Sequence, residues 1–128
     1  MVVVDTSVWV QALRAADSLE KIEVDSLLAK ESLVMVGPVM AELLQGARST
    51  NEFEDLRDEW AALPYVAESR QTWVMSGALA YQMRQRGLTL GLLDLLIAAI
   101  AIEHDHEVYT LDDHIRQVPG LRLYSPQT

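Results

Sequence analysis

The chain has 128 residues, half of them hydrophobic, with six Gly, four Pro and no Cys. This composition suffices for one core and excludes a disordered tail, a collagen-like repeat, a disulfide scaffold and a thiolate zinc site. Ten Lys and Arg against 19 Asp and Glu give a net charge of -9, which argues against a protein that grips nucleic acid by neutralising many phosphates.

Val2-Val3-Val4 is a β-branched run suited to a strand buried on both faces, and Asp5-Thr6-Ser7 supplies capping residues for a helix directly after it. No basic n-region or long apolar segment of a secretion signal precedes Asp5, so the expected compartment is the cytoplasm. Leu19, Ile22, Val24, Leu27 and Leu28 recur at helical spacing between Ser18 and Lys30, and Leu33 to Val36 reads as a second strand ended by Gly37-Pro38. Pro38 suits the first turn of a helix that is expected to run to Arg48. Asn51 to Leu63 predicts a helix with an acidic outer face, stopped by Pro64, with Tyr65-Val66 as a short third strand.

Ser69 is placed to cap a long helix to Arg86, with Trp73, Gly77, Ala80 and Tyr81 as its expected inner stripe. Leu92 to His104 predicts a central apolar helix, buried on every side; the apolar run from Leu88 to Ile102 is interrupted by Gly91 and Asp94 and is too short to span a bilayer. Glu107 to Thr110 and Leu121 to Tyr124 supply a fourth and a fifth strand. Strands alternating with helices predict an α/β fold, a parallel sheet covered on both faces, in a single domain over residues 1–128.

In an open parallel sheet, chemistry collects beyond the carboxyl ends of the strands. Asp5 follows the first strand, Asp112 follows the fourth, and Asp94 is the only charge between Leu88 and Ile102, in the first turn of the apolar helix. As helix caps, Asp5 and Asp94 would each contribute about 1 kcal/mol. Glu42 lies beside the buried stripe of its helix, with Gly46 leaving open space one turn later. Spacing leaves both readings of these acids open, as caps and solvated groups or as one site. If they converge, two like charges at 4 Å repel by about 4 kcal/mol at an effective dielectric of 20. Raised carboxyl pKa values or a hard cation such as Mg²⁺ or Mn²⁺ must then compensate.

Four blocks occur in order: Val4-Asp5-Thr6-Ser7, Pro38-Val-Met-Ala-Glu42-Leu-Leu-Gln-Gly46, Asp94-Leu-Leu-Ile-Ala-Ala, and Val108-Tyr-Thr110-Leu-Asp112. Together they resemble the PIN-domain ribonucleases and, among them, the VapC-type toxins. The resemblance covers essentially the whole chain. It implies a three-layer fold whose five-stranded parallel sheet has the order 3-2-1-4-5. It further implies that Asp5, Glu42, Asp94 and Asp112 form a catalytic acidic site, with Asp5, Asp94 and Asp112 as ligands of Mg²⁺ or Mn²⁺. Thr6, Ser7 and Thr110 would orient carboxylates or waters. The implied activity is hydrolysis within RNA by metal-activated water, and the implied partners are an antitoxin with a basic C-terminal segment and a second copy of the chain. The family's fourth block often continues Thr-x-Asp-x-Asp-Phe, whereas Thr110-Leu-Asp112-Asp113-His114-Ile115 stands here, so Asp113 is the candidate for the missing outer carboxylate.

His104 and His106 are expected at the opposite rim. Arg14, Arg84, Arg86 and Arg116 are candidates for holding RNA, and Trp9 is the expected aromatic contact for a partner. Two rival readings are a non-catalytic module that keeps the fold, and a receiver-type phospho-acceptor. The second needs a lysine after its last strand, and the final lysine here is Lys30. A haloacid-type phosphatase would want Asp-x-Asp after the first strand, where Asp5-Thr6-Ser7 stands.

Overall fold

The computed structural model describes residues 1–127. In chain order the elements are β1 (Val2–Val4), α1 (Thr6–Arg14), α2 (Leu19–Ala29), β2 (Leu33–Val36), α3 (Gly37–Gln45) and α4 (Thr50–Trp60). They are followed by β3 (Tyr65–Val66), α5 (Arg70–Gln85), α6 (Leu92–Glu103), β4 (Glu107–Tyr109), a 3-10 turn at Ile115–Gln117, and β5 (Arg122–Leu123). The five strands form one parallel sheet in the order β3-β2-β1-β4-β5. All residues of β1 and β2 are buried, and successive side chains of a strand face opposite ways, so both faces of the sheet are covered.

Small polar residues set the helix starts. Ser18 accepts the Lys21 amide at 3.1 Å, Ser49 accepts that of Glu52 at 3.1 Å, and Ser69 and Thr72 form a reciprocal capping box. Pro38 lies in the first turn of α3, as expected. That helix ends at Gln45, short of the expected Arg48, because Gly46 is a poor interior residue and takes the C-cap. The chain passes from β1 to β2 and β3 on one side and to β4 and β5 on the other. The strand order therefore switches beside β1, and a crevice opens at the carboxyl ends there.

The main core packs β1, β2 and β4 against α1, α3 and α6, and a smaller cluster joins Leu79 and Met83 of α5 to Leu95, Ala98 and Ala99 of α6. Two expectations are corrected here. The inner face of α5 is Thr72, Ser76, Leu79 and Met83, while Trp73, Gly77 and Tyr81 face outward. Thr72 and Ser76 tolerate burial because their polar atoms are satisfied within the helix, Thr72 in the capping box and Ser76 by donating to the Thr72 carbonyl at 2.9 Å. Trp9 is no surface anchor: it is 4% exposed and packs edge-on against Trp60 of α4, with ring centroids 5.4 Å apart.

Candidate active site

Val4 of β1 pairs in register with Tyr109 of β4, so the next residues, Asp5 and Thr110, emerge side by side at the carboxyl rim. The Asp5 carboxylate is 3% exposed, and its Oδ2 accepts the hydroxyls of Ser7 at 2.7 Å and Thr110 at 2.8 Å. Asp5 occupies the N-cap position of α1 yet makes no side-chain cap bond. The cap account of this residue therefore fails on geometry. Ser7 in turn accepts the Leu111 amide at 3.1 Å and Thr110 accepts the Asp112 amide at 3.0 Å, which stitches the end of β4 to the start of α1.

Asp112 uses one of its two carboxylate oxygens locally. Its Oδ1 accepts the amides of His114 at 2.7 Å and Ile115 at 3.4 Å and so caps the 3-10 turn, which leaves Oδ2 uncommitted. Glu42, half-buried on α3, accepts the Thr6 hydroxyl at 3.0 Å through Oε1. The sequence left this glutamate ambiguous; the hydroxyl that turns it inward lies on α1, 36 positions upstream.

Asp94 lies in the first turn of α6 and makes no cap bond. Its carboxyl pKa is raised from 3.8 to about 6, first by burial and then by the charges of Asp5, Glu42 and Asp112. The positive end of α6 acts the opposite way and is outweighed. Three acids from three other segments thus lie within electrostatic reach of Asp94. Asp113 does not join them: it is exposed, and its carbonyl accepts from Gln117 at 3.1 Å.

Among the described residues, no group of three or more His, Asp or Glu side chains stands close enough to hold a metal ion as a ready-made cage. The donor set still fits a hard cation. All the groups are carboxylate oxygens, their mutual repulsion is registered at Asp94, and Mg²⁺ characteristically takes one or two carboxylates directly and keeps several waters.

Arg116 belongs to this rim, since its guanidinium donates to the Thr110 carbonyl at 2.9 Å. Arg14 lines a cleft beside Glu42 together with Arg48, which the sequence reading passed over because it falls in the loop after Gly46. Arg84 and Arg86 are exposed at the end of α5 and make no ion pair among the described residues. His104 is exposed and His106 half-buried, both before β4 at the opposite end of that strand. Burial, the chain's amino terminus and His104 lower the His106 pKa. Sequence reasoning also missed Glu23, an acid of α2 only 1% exposed, which accepts the Tyr124 hydroxyl at 2.8 Å. Its position one turn before Leu27 on the inner face of α2 was the available signal.

A family model described as the PIN domain matches residues 2–121. Ribonuclease VapC11 of Mycobacterium tuberculosis is 32% identical over 132 aligned residues, covering 98% of this chain and 98% of its own length. Among solved structures, VapBC2 from Rickettsia felis, bound to a DNA fragment from its promoter, is similar with a TM-score of 0.80 at 23% identity, covering 97% of this chain and 98% of that one. A toxin-antitoxin complex from Klebsiella pneumoniae is similar with a TM-score of 0.77 at 20% identity, covering 98% of each chain. The two structural likenesses show the same fold.

Proposed function

The chain belongs to the PIN-domain family, and on that premise we propose that it is a metal-dependent endoribonuclease, the toxin of a toxin–antitoxin pair, with Asp5, Glu42, Asp94 and Asp112 as its catalytic acids. The observation that carries the reading is the convergence of Asp5, Glu42 and Asp112 on the half-buried Asp94 at the switch point of the sheet, where burial first and then their three charges raise its pKa. Acids serving only as caps would not converge, and Asp5 and Asp94 make no cap bonds.

Mg²⁺ or Mn²⁺ held by Asp5, Asp94 and Asp112 would neutralise the cluster, polarise a phosphate oxygen and acidify a water. The protein's own contribution is positioning. Ser7 and Thr110 fix one oxygen of Asp5 and leave Oδ1 without a hydrogen bond from the described residues, and Thr6 fixes one oxygen of Glu42. Asp113 adds an outer negative charge. The reaction is hydrolysis: water adds to phosphorus and the bond from phosphorus to one ribose oxygen breaks.

The net charge of -9 suits a partner that is basic where it docks. This supports an antitoxin whose C-terminal segment carries Arg or Lys to the acidic rim, and the likeness to the Klebsiella pneumoniae toxin-antitoxin complex supports an antitoxin partner as such. A homodimer is supported by α5, whose outer face exposes Trp73, Val74 and Tyr81 at 50%, 60% and 55%. Among the described residues no helix is long and apolar enough to cross a membrane, and an RNA substrate assigns the work to the cytoplasm. The domain acts as one unit over residues 1–128. The test is cleavage of a broad RNA panel by the purified, partner-free protein given Mg²⁺ or Mn²⁺; a panel left intact sinks the reading.

A further inference from the structure

We infer that the cleft between α1, α3 and α4 seats a nucleotide of the RNA next to the bond that is cut, with Arg14 and Arg48 holding its phosphate. The inference rests on the ribonuclease reading and extends it from the reacting centre to the substrate's flank. The cleft measures about 360 Å³ and is walled by Val10 and Leu13 of α1, Leu43 of α3 and Leu56 of α4, with the carboxylates of Glu42 and Glu52 beside Arg14 and Arg48. That volume is within the range of about 300–1,000 Å³ typical of small-ligand sites, so it admits one nucleotide or one large side chain.

Three observations favour the nucleotide. Glu42 lines the cleft and also acts on Asp94, so the cleft and the acidic site share a wall. A strand whose reacting phosphate lies over the acids therefore carries its neighbour into the cleft. Arg14 and Arg48 line the same space and are exposed, and neither forms an ion pair among the described residues, although the chain as a whole is strongly acidic. Unpaired guanidinium groups match phosphate with two parallel hydrogen bonds each, and the aliphatic walls of Val10, Leu13, Leu43 and Leu56 offer apolar contact to a base. Gly46 keeps the space open, since a Cβ there would meet only the Leu43 carbonyl, at 3.5 Å.

The probe is a fluorescent pool of single-stranded RNA dodecamers of randomised sequence, titrated with the full chain in Ca²⁺ and read by anisotropy at several salt concentrations. Arg14→Gln and Arg48→Gln are each expected to weaken binding about tenfold and to reduce the slope of log affinity against log salt by about one. Gly46→Leu, which fills the cleft without altering charge, is expected to weaken binding with the salt slope unchanged. Arg122→Gln, at the other end of the sheet in an exposed pair with Asp105, serves as the control and is expected to bind like the wild type. Wild-type affinity in both cleft arginine variants overturns the inference and leaves the ribonuclease reading standing. A wild-type protein that neither binds nor cuts RNA removes both. Unchanged RNA affinity together with a weakened co-purifying protein partner gives the cleft to that partner and also overturns the inference.

Discussion

The Thr110 hydroxyl donates to Asp5 Oδ2 at 2.8 Å, joining the ends of two neighbouring strands whose residues lie 105 positions apart in the chain. The bond is a by-product of sheet register, because Val4 and Tyr109 are already paired one residue earlier. Removing it with Thr110→Val leaves Asp5 with one fewer constraint and the Asp112 amide without its acceptor. The expected result is a 10- to 100-fold loss of Mn²⁺ affinity by calorimetry, with a stability cost of about 1–2 kcal/mol in urea unfolding.

Asp5→Asn and Asp94→Asn each remove a charge with little change of volume. Both are expected to lower metal-dependent RNA cleavage by about a hundredfold or more while circular dichroism shows the fold retained. Full activity in either purified variant would contradict the proposed site.

Asp94 also sets a pH dependence. Its carboxyl, raised to about 6 in the folded chain from an ordinary 3.8, binds its proton more tightly when folded than when unfolded. The resulting stabilisation of the metal-free protein is fully present below about pH 4 and is lost as the pH rises through about 6. After screening at a half-buried site it amounts to on the order of 1 kcal/mol. Metal binding runs the other way, since the ligand must be ionised. Thermal unfolding with EDTA is thus expected to show stability falling between about pH 4 and pH 7, a trend that Asp94→Asn flattens. Mn²⁺ affinity of the wild type is expected to rise over the same interval.

Much of this was legible in the sequence. The β-branched run at Val2 and the apolar run at Leu33 read as buried strands, and the lone Asp94 in an apolar helix marks a charge kept at a cost. What escaped depended on partners distant in the chain. Nothing local shows which way Trp9 turns until Trp60 meets it, and Glu23 is buried because Tyr124, 101 positions later, supplies its hydrogen bond. That bond, after burial, pushes the Tyr124 hydroxyl pKa up to about 12. On α5, the rule that large apolar groups point inward failed because Thr72 and Ser76 satisfy their own polar atoms and free Trp73 and Tyr81 to face outward.

The outward aromatic face gives a further expectation. Trp73→Glu places a charge in the middle of the apolar surface of α5 and removes no buried contact of the core. Light scattering is expected to report the mass of a dimer for the wild type and of a single chain for the variant, with unchanged circular dichroism. A wild type that already runs as a single chain would end the dimer proposal.

The edge-on tryptophans have a mechanical meaning for the cleft above them. Trp9 lies one helical turn before Leu13, and Trp60 one turn after Leu56. The ring contact therefore ties the two walls together next to the space between them, and parting them costs about 1 kcal/mol of ring contact besides the area exposed. A change of gape thus moves the two buried indoles against each other, and in a Trp73→Phe background the protein's own fluorescence reports it.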